Sequence, residues 1–216
     1  SPVTYQTFVS QFGNKYTYGF GILGAGRDRR DSAIQPTRGS LTRGAAEVGA
    51  GDLDYYRLSL TSIGYFPLSR TVTLSVMGDV GYVHGFSNKD VPFFKNFYAG
   101  GPNSVRGYRA FSLGPQDAAG NVLGGTRKLA GSVELLFPMP GAQTDRSLRL
   151  STFLDAGQVY GSQEKVDLGG LRYSAGVGLF WTSPFGPLRL SFAQPLNAKS
   201  GIDRKERLQF TFGSAF

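Results

Sequence analysis

One stretch of this chain gathers residue types with chemical potential: FYAGGPNSVRGY, from Phe97 to Tyr108. Gly100, Gly101 and Gly107 permit backbone turns that other residues resist, and Arg106 stands among them, between Val105 and Gly107. A guanidinium among small residues can reach buried carboxylates through two parallel hydrogen bonds; the alternative is an exposed hairpin loop. Enzyme chemistry has less to work with. His84 is the only histidine and the chain has no cysteine. A lone strand-end histidine reads as interfacial or solvated rather than as a base, and neither a His-based nor a thiolate metal site can be assembled. Gly19 to Gly24 satisfies G-x-G-x-x-G, but inside an alternating aromatic run with no helix after it, so it lacks the context of a dinucleotide site. Asp52 and Asp54 flank a turn and read as solvated. The expectation is a protein that is no enzyme and carries no metal or cofactor.

The elements that must hold Arg106 are strands. Of 216 residues, 31 are Gly, 17 Phe and 11 Tyr; so much Gly argues against helix, where each costs about 1 kcal/mol relative to Ala. Gly with aromatics suits closely packed, twisted sheet with many turns. Apolar and polar residues alternate in repeated runs. Over 15–24, Tyr16, Tyr18, Phe20 and Ile22 oppose Thr17, Gly19 and Gly21. Over 71–83, Val72, Leu74, Val76, Val80 and Tyr82 oppose Thr71, Thr73, Ser75 and Asp79. Over 148–160, Leu148, Leu150, Leu154 and Tyr160 oppose Arg149, Ser151, Asp155 and Gly157. Over 171–182, Leu171, Tyr173, Val177, Leu179 and Trp181 oppose Arg172, Ser174, Gly176 and Gly178. Over 206–216, Leu208, Phe210, Phe212 and Phe216 oppose Gln209, Thr211 and Gly213. Weaker strands fit at 40–50, 55–66, with a phase change near Ser62 that suggests a bulge, 127–137 and 187–196. The count is about nine, or about ten if residues 2–12 add one.

Alternation alone also fits a soluble sandwich. Three features favour a membrane barrel. Many apolar faces end in an aromatic (Tyr16, Tyr56, Phe66, Tyr82, Phe137, Tyr160, Trp181, Phe216), as interfacial girdles do. The runs match the roughly 9–11 residues that cross a bilayer at a tilt. The opposite faces are small and polar, suiting a water-filled lumen. No run approaches the roughly 18 apolar residues of a membrane helix, and no signal peptide opens the chain, so an export signal would lie outside it. The net charge of +8 first suggests nucleic acid, but most cations stand singly or beside acids, as in Arg27-Asp28-Arg29-Arg30-Asp31 and Asp203-Arg204-Lys205-Glu206-Arg207. They read as solvated loops, with no nucleic-acid partner.

Connections are short except one of about 40 residues, between His84 and Arg127, which holds the Arg106 stretch and is too long to be idle. With its Val105-Arg106-Gly107-Tyr108, this segment resembles the sixth extracellular loop of the BamA family of outer-membrane β-barrel assembly proteins. Ser174 to Gly178, then Trp181-Thr182-Ser183-Pro184-Phe185-Gly186-Pro187-Leu188 and Ser191-Phe192-Ala193-Gln194-Pro195-Leu196, resemble the family's penultimate hairpin. Phe153 to Gly157 resembles another recurrent strand, and Leu208 to Phe216 the closing strand. The likeness runs from about Lys15 to Phe216.

The resemblance implies an all-β, antiparallel, 16-stranded transmembrane barrel of the bacterial outer membrane, of which residues 1–216 are the C-terminal part, about nine strands, with periplasmic POTRA domains outside this chain. It implies that the loop at about 85–126 folds into the lumen, where Arg106 meets Glu134 and Asp155; both carboxylates also fall on the polar faces of their strands. It implies a lateral gate at Leu208, Gln209, Phe210, Thr211, Phe212, Gly213 and Phe216, an unpaired edge at which client strands add. The implied work is assembly and insertion of β-barrel proteins, the implied partners the bilayer, unfolded outer-membrane clients and accessory assembly lipoproteins. A related pore secreting a partner polypeptide, and a passive diffusion porin, are the alternatives.

Overall fold

The computed structural model describes residues 6, 9–11, 13, 15–87, 89–141 and 147–213. Most of the alternation at 2–12, and Phe216, lie outside them. The chain forms β1 (Tyr18–Asp28), β2 (Gly39–Gly51), β3 (Tyr55–Pro67), β4 (Thr73–Gly85), the short β5 (Gly107–Tyr108), β6 (Arg127–Pro138), β7 (Leu148–Tyr160), β8 (Arg172–Ser183), β9 (Gly186–Pro195), the short β10 (Lys205–Glu206) and β11 (Leu208–Phe212). Nine of these build one sheet in the order β1-β2-β3-β4-β6-β7-β8-β9-β11, and the two short ones pair with each other. Every neighbour in the large sheet is antiparallel and next in the chain, apart from the short strands. Among the described residues β1 and β11 do not pair.

Period-two alternation puts one residue set on each face. On the outer face, exposed apolar side chains recur on strand after strand: Leu23 (78% exposed), Leu60, Val80, Val133, Leu154, Val177, Phe192 and Phe210 (62%). A soluble monomer rarely exposes apolar surface on this scale. Such a face fits lipid, where it gains from being exposed, and the paired ladders leave few backbone groups unsatisfied there. Tyr56, Tyr82 and His84 cluster on this face near one end, with ring centroids 5.8–6.3 Å apart; Phe66 and Trp181 stand exposed toward the other. The core lies on the inner face, beneath residues 86–126. The β1–β2 connection reaches across that face: Gln35 Nε2 donates to Thr182 Oγ1 at 2.7 Å, and Arg149 Nη1 to the Pro36 carbonyl at 3.4 Å. Residues near opposite edges of the sheet thus meet, so the sheet curls strongly.

Four expectations need correction. Ser62 is no bulge: the β3–β4 ladder runs unbroken from Tyr55↔Gly85 to Pro67↔Thr73. The apparent phase change arises because Ile63 and Tyr65 are apolar residues on the inner face, while Thr42 and Ser62 pair with each other on the outer one, oxygen to oxygen at 2.8 Å. In β1 the aromatic face points inward, not to lipid. Its register places Phe20 opposite Gly49 and Ile22 opposite Glu47, on the side where Glu47 accepts from the Tyr55 hydroxyl; Lys95 lies 5.1 Å from the Phe20 ring. Two expected girdle residues serve elsewhere. Tyr16 stacks on Phe94 of the long loop at 6.3 Å, and buried Tyr160 donates to the Asp167 carbonyl at 2.5 Å. At the β2–β3 turn Asp52 is exposed, as expected, and accepts from the Thr17 amide at 2.6 Å; Asp54 accepts from the Gly51 amide at 2.9 Å and from Lys89 at 2.9 Å. The Lys89 ammonium holds the Asp54 carboxyl below its ordinary range.

Gly176 of β8 marks the tightest packing beneath the site. A Cβ there would lie 2.3 Å from the Phe192 carbonyl oxygen and 2.6 Å from the Phe153 ring. Gly176→Ala should therefore cost about 1–3 kcal/mol through overpacking, read as a lower temperature for loss of the folded band on unheated gels, and should tilt the Phe153 ring.

Candidate functional site

Residues 86–126 leave β4, cross the inner face and return to β6. The segment has almost no regular structure, so side chains must seat it. At its base Leu53, Tyr55, Val83 and Phe97 form one apolar cluster, with Phe93 against it, and Arg57 lies 4.0 Å over the Phe97 ring. Lys95 pairs with Glu47, which also accepts from the Tyr55 hydroxyl at 2.6 Å. At its tip Ala99, Val105, Tyr108, Leu113 and the wall residue Val159 form a second cluster. Bridges Phe97↔Gly125 and Ala99↔Leu113 fold the loop upon itself.

Between these clusters Arg106 enters the wall, 3% exposed. Its Nε and Nη2 donate to the two oxygens of Asp155, each at 2.7 Å, and its backbone amide donates to Asp155 at 3.0 Å. Nη1 donates to Glu134 at 3.2 Å and Nη2 also to the Ser132 hydroxyl at 3.0 Å. The Ser132 hydroxyl in turn donates to Asp155 at 2.7 Å. The guanidinium lies 3.3 Å from the centroid of the Phe153 ring, an arrangement that only a planar cation permits. Arg189 approaches the other oxygen of Glu134 at 3.6 Å. Two cations and two anions thus balance in a nearly dry place, where an unbalanced charge would cost several kcal/mol.

Gly107 follows at φ +86°, with 3.1 Å between a built Cβ and Ala193; a side chain there would be both strained and crowded. The turn sends the chain into β5, which pairs with β10 through Lys205↔Tyr108 and Glu206↔Gly107. Tyr108 is fully buried and donates to the Tyr173 carbonyl at 3.1 Å. Burial, first, and the negative charge of Asp203 push its hydroxyl up to about 12, so it remains a neutral donor at any physiological pH. Gln209 of β11 points inward onto the same turn: its Oε1 accepts from the Gly107 amide at 3.3 Å and its Nε2 donates to the Tyr108 carbonyl at 2.7 Å.

The structure therefore brings Val105, Arg106, Gly107, Tyr108, Glu134 and Asp155 into one cluster. Of the strand expected to form a gate, Leu208, Phe210 and Phe212 face outward, while Gln209 and Thr211 face inward. Gly213, at φ +75°, still donates its amide to the Pro187 carbonyl of β9 at 2.9 Å, and Phe216 lies outside the described residues. The sequence reading passed over Ser132, Phe153 and Arg189 as members of the site and over β10 as a strand. Ser132 and Phe153 carried a legible signal, since each sits on the inward parity of its strand two residues from a named carboxylate, whereas Arg189 had only the inward parity of β9. A two-residue strand carries none. The expected penultimate hairpin stands at Ser183–Gly186, where the Ser183 hydroxyl donates to the Gly186 carbonyl at 2.7 Å and Phe185 is exposed.

A curled antiparallel meander with an apolar exterior, its inner face covered by a loop that inserts an arginine into the wall, defines the class: part of an integral β-barrel of the outer-membrane type. Residues 9–216 match the model of the Omp85 superfamily domain, and the chain belongs to that superfamily. It is 42% identical over 91% of its length to outer membrane protein assembly factor BamA of Neisseria meningitidis, covering 28% of that protein. It is 29% identical over 88% of its length to the SAM50-like protein of Schizosaccharomyces pombe, covering 43% of it. Its fold superposes on the crystal structure of Haemophilus ducreyi BamA lacking POTRA domains 1–3 with a TM-score of 0.81 at 28% identity, over 88% of this chain and 41% of that one. The chain thus spans less than half the length of these relatives.

Removing one partner of a buried charge cluster orphans the others, at ~3–5 kcal/mol. Arg106→Ala in the full-length protein should unseat the loop and expose the bond after Arg109 to trypsin. Arg106→Lys should recover little, because an ammonium can neither grip Asp155 with two parallel bonds nor lie flat on Phe153. Cleavage rates of wild type and both variants, compared on folded protein, decide this.

Proposed function

We propose that this segment works in the bacterial outer membrane as the C-terminal part of a barrel domain that assembles and inserts other β-barrel proteins. The observation that carries the reading is a loop locked on Arg106 that occupies the inner face of an antiparallel sheet whose last strand, β11, is only five residues long. An unsatisfied strand edge is a template for another chain, and clients whose own strands are unpaired can add to it by β-augmentation. β11 is short, with Gly213 at its end, and offers few ladder bonds to break. Its outward Leu208, Phe210 and Phe212 would lie in lipid beside the arriving strand.

In this reading residues 86–126 are an extracellular loop folded into the lumen, and the complete barrel has sixteen strands with POTRA domains preceding it in the longer protein. The partners are the bilayer, unfolded outer-membrane clients and accessory assembly lipoproteins. No bond of a substrate is made or broken: the charged groups of the inner face are consumed in holding one another, and neither metal, cofactor nor nucleic acid enters. The names of the bacterial relatives and of the sorting-assembly subunit from Saccharomyces cerevisiae, 26% identical over 88% of this chain, support the same reading. A diffusion pore is disfavoured because the seated loop occupies the space that solutes would need.

The full-length protein in lipid vesicles should accelerate insertion of an unfolded outer-membrane barrel relative to empty vesicles. A cysteine replacing Phe210 should form crosslinks to that client, whereas one replacing Phe192, in the interior of the sheet, should form few. Ion conductance without client insertion would point to a porin, and crosslinks at Phe192 alone would remove β11 as the point of entry.

A further inference from the structure

We infer that Gln209 is a positioning residue that latches the arginine loop to the last strand, so that seating of the loop and placement of β11 form one equilibrium. This deepens the reading above and rests on it. The geometry is specific. The carboxamide holds an acceptor and a donor in the same plane, and uses both against consecutive residues of the loop: the Gly107 amide at 3.3 Å and the Tyr108 carbonyl at 2.7 Å. It is buried, although it lies on the outermost strand of the sheet.

The segment just before it extends the same contact. Lys205 and Glu206 pair with Tyr108 and Gly107, the Arg109 amide donates to the Arg204 carbonyl at 2.8 Å, and the Ala193 amide donates to the Arg207 carbonyl at 2.8 Å. Residues 204–206 therefore pair with the loop, and residues 207–212 pair with β9. The chain changes partners within two residues, and Gln209 stands just past the crossover with its backbone in the large sheet and its side chain in the small one. β11 cannot swing away from the inner face without breaking both carboxamide hydrogen bonds, and the Gly107 turn cannot relax without freeing β11. Since Gly107 directly follows Arg106, the grip of Asp155 on Arg106 is transmitted to the last strand through one peptide and one side chain.

Only a side chain with both a donor and an acceptor meets this demand. Glutamate keeps the acceptor but sets a negative charge against the Tyr108 carbonyl, and leucine keeps the bulk and offers neither. The test uses full-length protein in lipid vesicles with a single reporter cysteine replacing Thr211, one inward position beyond Gln209. Two rates are read on the same samples: labelling of that cysteine by a water-soluble maleimide, and trypsin cleavage after Arg109. Losing two buried hydrogen bonds should raise both rates about tenfold in Gln209→Leu and Gln209→Glu. Arg106→Ala should raise both as well, and Arg106→Ala with Gln209→Leu should exceed the larger single effect by little, because both break one linkage. Retention of the heat-sensitive folded gel band shows that the barrel is intact, and Gln209→Asn, one methylene short, provides a milder variant should Gln209→Leu fail to fold. If the strand reporter rises while the loop stays protected, or if the two substitutions add independently, the latch is refuted. Client insertion is measured separately: a wild-type protein that inserts nothing removes the assembly reading and leaves the coupling result standing.

Discussion

The tertiary arrangement turns on one desolvated cation. Arg106 enters the wall with its charge shared among Asp155, Glu134 and Ser132, between the two apolar clusters that hold the rest of the loop. Isolated buried pairs often contribute little net stability, because desolvation offsets the Coulomb gain. What they supply is uniqueness of position: among the described residues no other seat on this face offers a guanidinium two carboxylates, a hydroxyl and a ring. Arg189 makes the set neutral, so the wall tolerates two acids side by side. The apolar clusters on either side then pack against a loop whose place is already decided.

A second constraint is the solvent. The protein reverses the usual order, with apolar side chains outermost and charges within, because its exterior meets hydrocarbon and its interior meets water and the loop. In hydrocarbon each strand must hydrogen-bond its neighbours, which gives the unbroken ladders from β1 to β9. The inner face is free to vary, and there the exceptions gather. β1 turns aromatics inward because Phe93, Phe94 and Lys95 of the loop stand there to meet them. Tyr65 and Ile63 sit on the inner face near the β1–β2 connection that folds over it. Strand polarity thus records what covers the strand and not only which solvent it faces.

The basic charge has the same explanation. Arg57 lies on Phe97, Arg149 meets the Pro36 carbonyl, Arg172 pairs with Asp203 at 2.5 Å and Lys128 with Asp79 at 2.5 Å. An inner wall built from polar and acidic groups uses cations as crosslinks between strands and loop, so part of the basic content serves the interior.

Much of this was legible from residue order. Alternation with period two located all nine strands of the sheet, to within a few residues, because side chains in a ladder must take turns between faces. It also placed Glu134 and Asp155 on the inward faces of β6 and β7, and a conspicuous arginine among glycines marked the loop. Residue order did not say which face of β1 was inner, since both sets, aromatic and glycine, fit a barrel; only the register against Glu47 and Gly49 decides. Nor did it single out Gln209, which reads as one more polar residue in an alternating strand. Its role depends on two segments about a hundred residues apart meeting at hydrogen-bond distance, and local pattern carries no information about such a meeting.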